Sequence, residues 1–281
     1  MIFAWLALPL LLGVTLAFLV SWRRLDHRAD RAEMARLTAH QPPNPPEFRL
    51  DMIAGLPEPA RRYFTFAIAE GTPLRTVVRL EMKGRFGMGD KSAPSYLAMK
   101  ADQVLAAPYG FVWAMTGGSG IKRLSGSDSG SWTRFWLAGL LPVAHLGGEP
   151  DHARSAFGRL IAEAVFWSPA AMLPGPGVSW KAVSDNISRV TVQRGELKQA
   201  VDIAVDPEGR LQYVKFDRWS NANPDKTYRI QPFGGYLSEY REFAGFRLPT
   251  HVEAGNQFET GSYFPLFIAD VTEITFPGKG S

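Results

Sequence analysis

Hydrophobic and polar positions divide the chain into three stretches. From Met1 to Trp22 there is no charged side chain, and Arg23 and Arg24 follow directly. A helix rises 1.5 Å per residue, so 22 residues reach roughly 33 Å, enough for a hydrocarbon core of about 30 Å. The pattern predicts one transmembrane helix over 1–22, ended by an interfacial Trp22 and a basic stop. A cleaved leader fits less well. It would need a positive start, a shorter apolar stretch and a small-x-small cleavage site, none of which is present. Residues 23–39 are rich in Arg, Ala, Glu, Leu and Met and predict a continuing helix, with Asp26 and Asp30 able to pair with arginines three or four positions away. Leu25, Met34 and Leu37 are too sparse for a coiled-coil seam. Gln41-Pro-Pro-Asn-Pro-Pro46 then removes amide donors and holds the backbone extended. The expected organisation is an anchor over 1–22, a juxtamembrane helix and proline-rich tether over 23–46, and a single β-rich domain over 47–281.

Within 47–281 the spacing changes from one period to another. Pro57 and Pro59 suit a first helical turn, and Tyr63, Phe64, Ala67 and Ile68 recur at helical spacing before Gly71, predicting a helix near 57–69. From Thr76 to Phe86 apolar and charged positions alternate, as expected of a half-buried strand. Further short runs predict strands at 95–104, 109–116, 119–125, 131–137, 187–193, 197–206, 210–219, 226–231, 236–243, 249–258 and 266–276. Turn sequences such as Asp206-Pro-Glu-Gly209 separate them. One helical stretch interrupts the strands: Phe157, Leu160, Ile161, Ala164 and Val165 form an apolar stripe over 152–167, ended by Ser168-Pro169, with Arg159 and Glu163 set away from it. The expected fold class is α+β and mainly antiparallel β: a curved sheet or partly closed barrel, covered by one or two helices and preceded by one transmembrane helix.

Composition narrows the chemistry. The hydrophobic fraction is 46% and the charged fraction 21%, values of a folded globular chain. A net charge of +4 is not gathered into a basic run within the domain, which argues against a nucleic-acid partner. The absence of cysteine removes disulfides, thiolate metal sites and cysteine nucleophiles. His145, His152 and His251 show no metal-ligand spacing, and they read as surface or singly bonded residues. Gly117-Gly-Ser-Gly120 lacks the Lys-Ser/Thr of a phosphate loop and reads as a hairpin turn. With no GxSxG elbow either, no catalytic residue, metal site or cofactor is assigned.

Three motifs carry a resemblance: Leu56-Pro57-x-Pro59-x-x-Arg62-Tyr63-Phe64, then Arg159-Leu160-x-Ala162-Glu163-x-x-Phe166-Trp167-x-Pro169, and Gly245-Phe246-Arg247-Leu248-Pro249 with Glu253. Together they resemble a bacterial family of unknown function, over most of residues 55–276. The middle motif is the most specific. More distantly, helices lining a curved antiparallel sheet look like the lipoprotein-carrier fold, whose half-barrel shelters acyl chains.

Arg159, Glu163 and Trp167 follow one another at single helical turns, so they project from neighbouring positions. They are candidates for a ligand site, against the plainer reading of a surface ion pair beside a packed aromatic. Arg218 and Trp219 offer a guanidinium beside an indole. Trp113 is one of several aromatics placed to line an apolar cavity. The functional expectation is a membrane-tethered module that binds a hydrophobic or amphiphilic ligand, lipid among the options. The alternative is an anchored domain that docks another envelope protein and holds no small molecule. Five arginines after the span and none before it favour an inner (cytoplasmic) membrane protein whose domain lies on the cytoplasmic side.

Overall fold

The computed structural model describes residues 2–278, with residues 2–8 by their backbone alone. Helix α1 runs Ile2–Thr38, α2 Glu58–Ala67 and α3 Pro150–Trp167. The strands are β1 Val77–Gly87, β2 Tyr96–Ala106, β3 Gly110–Gly117, β4 Leu124–Ser129, β5 Trp132–Leu137, β6 Leu141–Gly147, β7 Val178–Ser184, β8 Ile187–Arg194, β9 Leu197–Val205, β10 Leu211–Ser220, β11 Arg229–Phe243, β12 Phe246–Asn256 and β13 Phe264–Thr275. They form one antiparallel sheet in the order β6-β5-β4-β3-β2-β1-β13-β12-β11-β10-β9-β8-β7.

This order is two meanders sewn together. Strands β1 to β6 step outward in one direction, β13 back to β7 step outward in the other, and the β1–β13 pair joins them. The chain must then pass from one free edge, β6, to the other, β7. α3 makes that crossing. Its 18 residues span roughly 27 Å, and it covers the concave face while closing its own apolar stripe. Leu160, Ile161, Val165 and Trp167 are buried there with Leu80, Leu105, Val201, Ile203 and Phe246. α2 seals the same core nearer β7, β8 and β9, where Tyr63 gives its hydroxyl proton to the Val165 carbonyl.

Most expected strands are present, with four differences. The run expected at 119–125 opens as a 3-10 turn over Gly120–Lys122, and the strand beside it, β4, starts only at Leu124. β6 and β7 lie outside the strands that the sequence predicts. Both are edge strands with no fully buried side chain, so the alternation that burial on one face imposes is short and weak in each. The two runs at 226–231 and 236–243 are one strand, β11. Gly234 and Gly235 inside it are a packing requirement rather than a turn, since a Cβ on Gly234 would lie 2.6 Å from the Phe258 ring.

α1 contributes a feature that composition concealed. Its C-terminal half lies on the convex face, crossing from β2 and β3 toward β5. Leu37 is buried with Val77, Val104, Ala106 and Val112, and Met34 and Trp132 pack around them. Gly110 (φ +150°) permits this approach, because a Cβ there would sit 3.2 Å from Leu37 Cδ2. Polar contacts continue the seam. Trp136 Nε1 donates to Asp26 at 3.0 Å, Ser127 Oγ donates to Asp30 at 2.7 Å, and Trp132 Nε1 donates to Ser127 at 2.9 Å. The expected span 1–22 begins in residues 1–8, whose side chains lie outside the described residues. Among the described residues no helix is long and apolar enough to cross a membrane.

Asp30 provides a test of the docked helix. Burial pushes its carboxyl above the usual range, against the Ser127 hydrogen bond and the His27 and Arg134 charges. A carboxyl raised in the folded state contributes stability that is present below its unfolded value and lost as pH rises through the raised one. Asp30→Asn keeps an acceptor for Ser127 and removes the charge. The variant should melt higher than wild type at pH 7, with the difference shrinking toward pH 4 in thermal scans. A constant or reversed difference would mean that burial does not disfavour the charged form of Asp30.

Candidate functional site

Between α3 and the concave face lies a cavity of about 830 Å³. Its size is that of sites holding one small ligand. Much of its wall is apolar: Phe86, Trp113, Phe135, Phe166, Leu237 and Phe267 all contribute. Trp113 is the hub of this wall, with ring centroids of Phe86, Phe267 and Phe135 at 6.0, 6.1 and 6.5 Å.

A polar band crosses the wall. Arg159 Nε donates to Glu163 Oε1 at 2.6 Å and its Nη1 to Asp128 Oδ2 at 2.7 Å. The remaining oxygens are also used, Glu163 Oε2 by Gln103 Nε2 at 2.5 Å and Asp128 Oδ1 by the Thr133 hydroxyl at 2.6 Å. Burial alone would pull the Arg159 guanidinium down, but the two carboxylates outweigh it and hold it above its usual value. Its Cζ also lies 4.7 Å from the Phe111 ring centroid and 5.2 Å from that of Trp113. Thr133 has one hydroxyl proton and gives it to Asp128. His152 Nε2, 3.1 Å from the same oxygen, must therefore be the donor in that contact. The Nδ1 of His152 is buried and has no partner among the described residues.

Five of the six expected site residues meet here: Trp113, Arg159, Glu163, Trp167 and Arg218 all line the cavity. Trp219 does not. Its Nε1 donates to Asp151 at the start of α3 at 2.8 Å, Arg154 lies over its ring, and Tyr228 stacks beside it. Arg159 and Glu163, expected away from the buried stripe of their helix, instead turn into the cavity wall, with side chains only 16% and 13% exposed. They are neutralised there by residues distant in sequence. Asp128, Thr133 and Gln103 are site residues that the sequence reading missed. Asp128 sits in Gly126-Ser-Asp-Ser-Gly130, a composition that reads as a loop, and only the pairing of β4 with β3 and β5 makes it a strand position. His152 belongs to the same band rather than to an open surface. Among the described residues no group of His, Asp and Glu has metal-holding geometry.

The fold and site together define an open antiparallel half-barrel whose concave face is bridged by a helix over a mostly apolar cavity with a polar band. The chain belongs to a family of unknown function, DUF6544, whose model matches residues 46–267. Among solved structures it is similar to a LolA superfamily protein from Nitrosomonas europaea, at 8% identity and TM-score 0.39, covering 78% of this chain and 92% of that one. It is also similar to a putative outer membrane lipoprotein-sorting protein domain from Vibrio parahaemolyticus (8%, TM-score 0.36, 81% and 91%). A DUF1329 family protein from Desulfovibrio piger is a third such structure (10%, TM-score 0.41, 78% and 90%). No match was found among curated proteins.

Proposed function

We propose that this protein is a membrane-tethered binding module that takes a hydrophobic or amphiphilic ligand into the cavity beneath α3 and exchanges it with the bilayer surface. The observation that carries the reading is that the cavity and the apolar end of α1 reach the same end of the sheet. The registers of β1 to β6 put the β1–β2, β3–β4 and β5–β6 turns at one end. α1 crosses the convex face from Leu37, beside Ala106 and Val112 at the opposite end, to Arg23, which donates to Ser125 at 2.8 Å and lies against Gly139. Residues before Arg23 therefore leave the sheet at the turn end. Exposed apolar side chains gather there, with Met88 60% exposed, Ile121 82% and Leu141 57%. The exposed turn residues Gly89, Asp90 and Lys91 line the cavity, so the cavity reaches the surface at that end.

In this reading the uncharged stretch 1–22 crosses the inner membrane once, and the arginines after it favour a cytoplasmic domain. α1 fixes the cavity toward the bilayer, because its docked half is a rigid strut rather than a loose tether. An envelope protein seated on the same apolar turns is the second reading, and it requires nothing in the cavity.

The chain has no cysteine, so single cysteines report cleanly. Ile121→Cys and Leu140→Cys, carrying an environment-sensitive fluorophore, should shift to the blue when the full chain moves from detergent into lipid nanodiscs. Ser131→Cys, at the opposite end, should not. Equal responses at all three positions would remove the membrane-facing orientation. Labelling of Ser131→Cys by an impermeant maleimide in intact spheroplasts would place the domain on the other side.

A further inference from the structure

Hydrogen-bonding capacity around the cavity is unevenly used. Every oxygen of the two carboxylates in the polar band accepts a hydrogen bond, and Arg159 is shared between them. Two N–H donors that line the cavity from different strands, Trp113 on β3 and Arg218 on β10, are treated differently. Trp113 is 2% exposed and Arg218 is half-buried, and neither the Trp113 Nε1 nor the buried Arg218 Nε has a hydrogen-bond partner among the described residues. Arg218 forms no ion pair there either; its Cζ rests 4.9 Å from the Phe233 ring centroid. Burial, followed by the repulsion of Arg159, pulls its guanidinium down to about 10, so it still carries its charge at neutral pH.

A buried donor without an acceptor loses its water and gains nothing in return, and native folds rarely keep two around one cavity without a use. The two guanidinium groups balance the charges of Asp128 and Glu163, but only Arg159 touches them. Arg218 is thus offset through space and left without contact. An anion brought to it would replace that distant attraction with charge-assisted hydrogen bonds, which Arg makes in pairs to carboxylate or phosphate oxygens. The tail of the same molecule would meet Phe86, Phe135, Phe267 and Leu237.

We propose that Arg218 and Trp113 form a head-group subsite that takes the acceptor-rich anionic end, a carboxylate or a phosphate ester, of a single-chain amphiphile lying in the cavity. This inference rests on the cavity being the binding site and adds the chemistry of what it selects. A neutral ester or alcohol with the same tail would reach the apolar wall but leave the guanidinium without an anion.

The test uses the full chain in nanodiscs and three photoactivatable probes with one tail: a mid-chain diazirine palmitate, its methyl ester, and the corresponding lysophosphatidate. Cross-linked residues are read by mass spectrometry. On wild type the preferred anion should label cavity residues at least about tenfold more than the ester, the ratio expected from one charge-assisted hydrogen bond. Whichever anion labels more identifies the head group. Arg218→Gln should bring the anion down to the level of the ester, and Arg218→Lys should restore part of the preference. Trp113→Phe, which keeps an aromatic side chain and removes the N–H, should lower the ratio several-fold and guards against a folding defect in the arginine variants. Equal labelling of wild type by anion and ester would overturn the subsite while leaving the cavity as the binding site. Labelling of no cavity residue by any probe would overturn both.

Discussion

Arg159→Ala is expected to destabilise the domain by about 3–5 kcal/mol, because it strands two buried carboxylates that share this one cation. Asp128 and Glu163 each give an oxygen to Arg159, and the side chains of Asp128 and Glu163 are 21% and 13% exposed. Removing the cation leaves two like charges facing each other across a partly apolar wall. The cost arises from that stranded pair more than from the lost attraction. Replacing the whole cluster should therefore be milder: Arg159→Met combined with Asp128→Asn and Glu163→Gln removes the three hydrogen-bonded charges together, at the cost of the through-space attraction on Arg218, and buried ion pairs exchanged for neutral groups are often close to neutral. Denaturant unfolding of the full chain in detergent, followed by tryptophan fluorescence, distinguishes the two. A single variant no less stable than the triple variant would show that the ion cluster is not what Arg159 holds together.

Trp167→Ala should cost a similar amount, about 3–5 kcal/mol, by a different route. The ring is completely buried at the end of α3, packs at 4.5 Å against Phe166, and donates its Nε1–H to the Pro249 carbonyl at 3.2 Å. Truncation opens a void beneath the helix and leaves that carbonyl without its donor. Since Trp167 also lines the cavity beneath α3, the void would merge with it. Trp167→Phe should recover most of the loss, because the ring volume matters more than one hydrogen bond. A change below about 1 kcal/mol in Trp167→Ala would mean the helix end collapses freely and does not anchor the cover of the cavity.

The two residues differ in how visible they are in the chain. Trp167 follows an apolar stripe at helical spacing, so its burial is readable from periodicity. Arg159 and Glu163 are readable as neighbours one turn apart, but their side of the helix is not. A charged pair at i and i+4 looks the same on a wet surface as in a polar wall, since the difference lies in Asp128, Gln103 and Thr133, between 26 and 60 positions away. Trp219 shows the converse error: adjacency to Arg218 suggests a joint role, yet only Arg218 faces the cavity.

The local pattern by itself determined the antiparallel character, the position of α3 and five of the residues that meet at the cavity. These depend on short-range periodicity and turn chemistry, which act within a few residues. The tertiary structure decided the rest. Edge strands β6 and β7 owe their pairing to a neighbour on one side only and bury no residue fully, so each carries only a faint burial signature in its own residues. The docking of α1 on the convex face depends on Gly110 and on side chains of β2 to β5 that no spacing in 23–39 announces. The unpaired Arg218 emerges only once every carboxylate near it has been assigned to another partner, because whether a buried charge has a contact partner is a property of its whole surroundings and not of the residue.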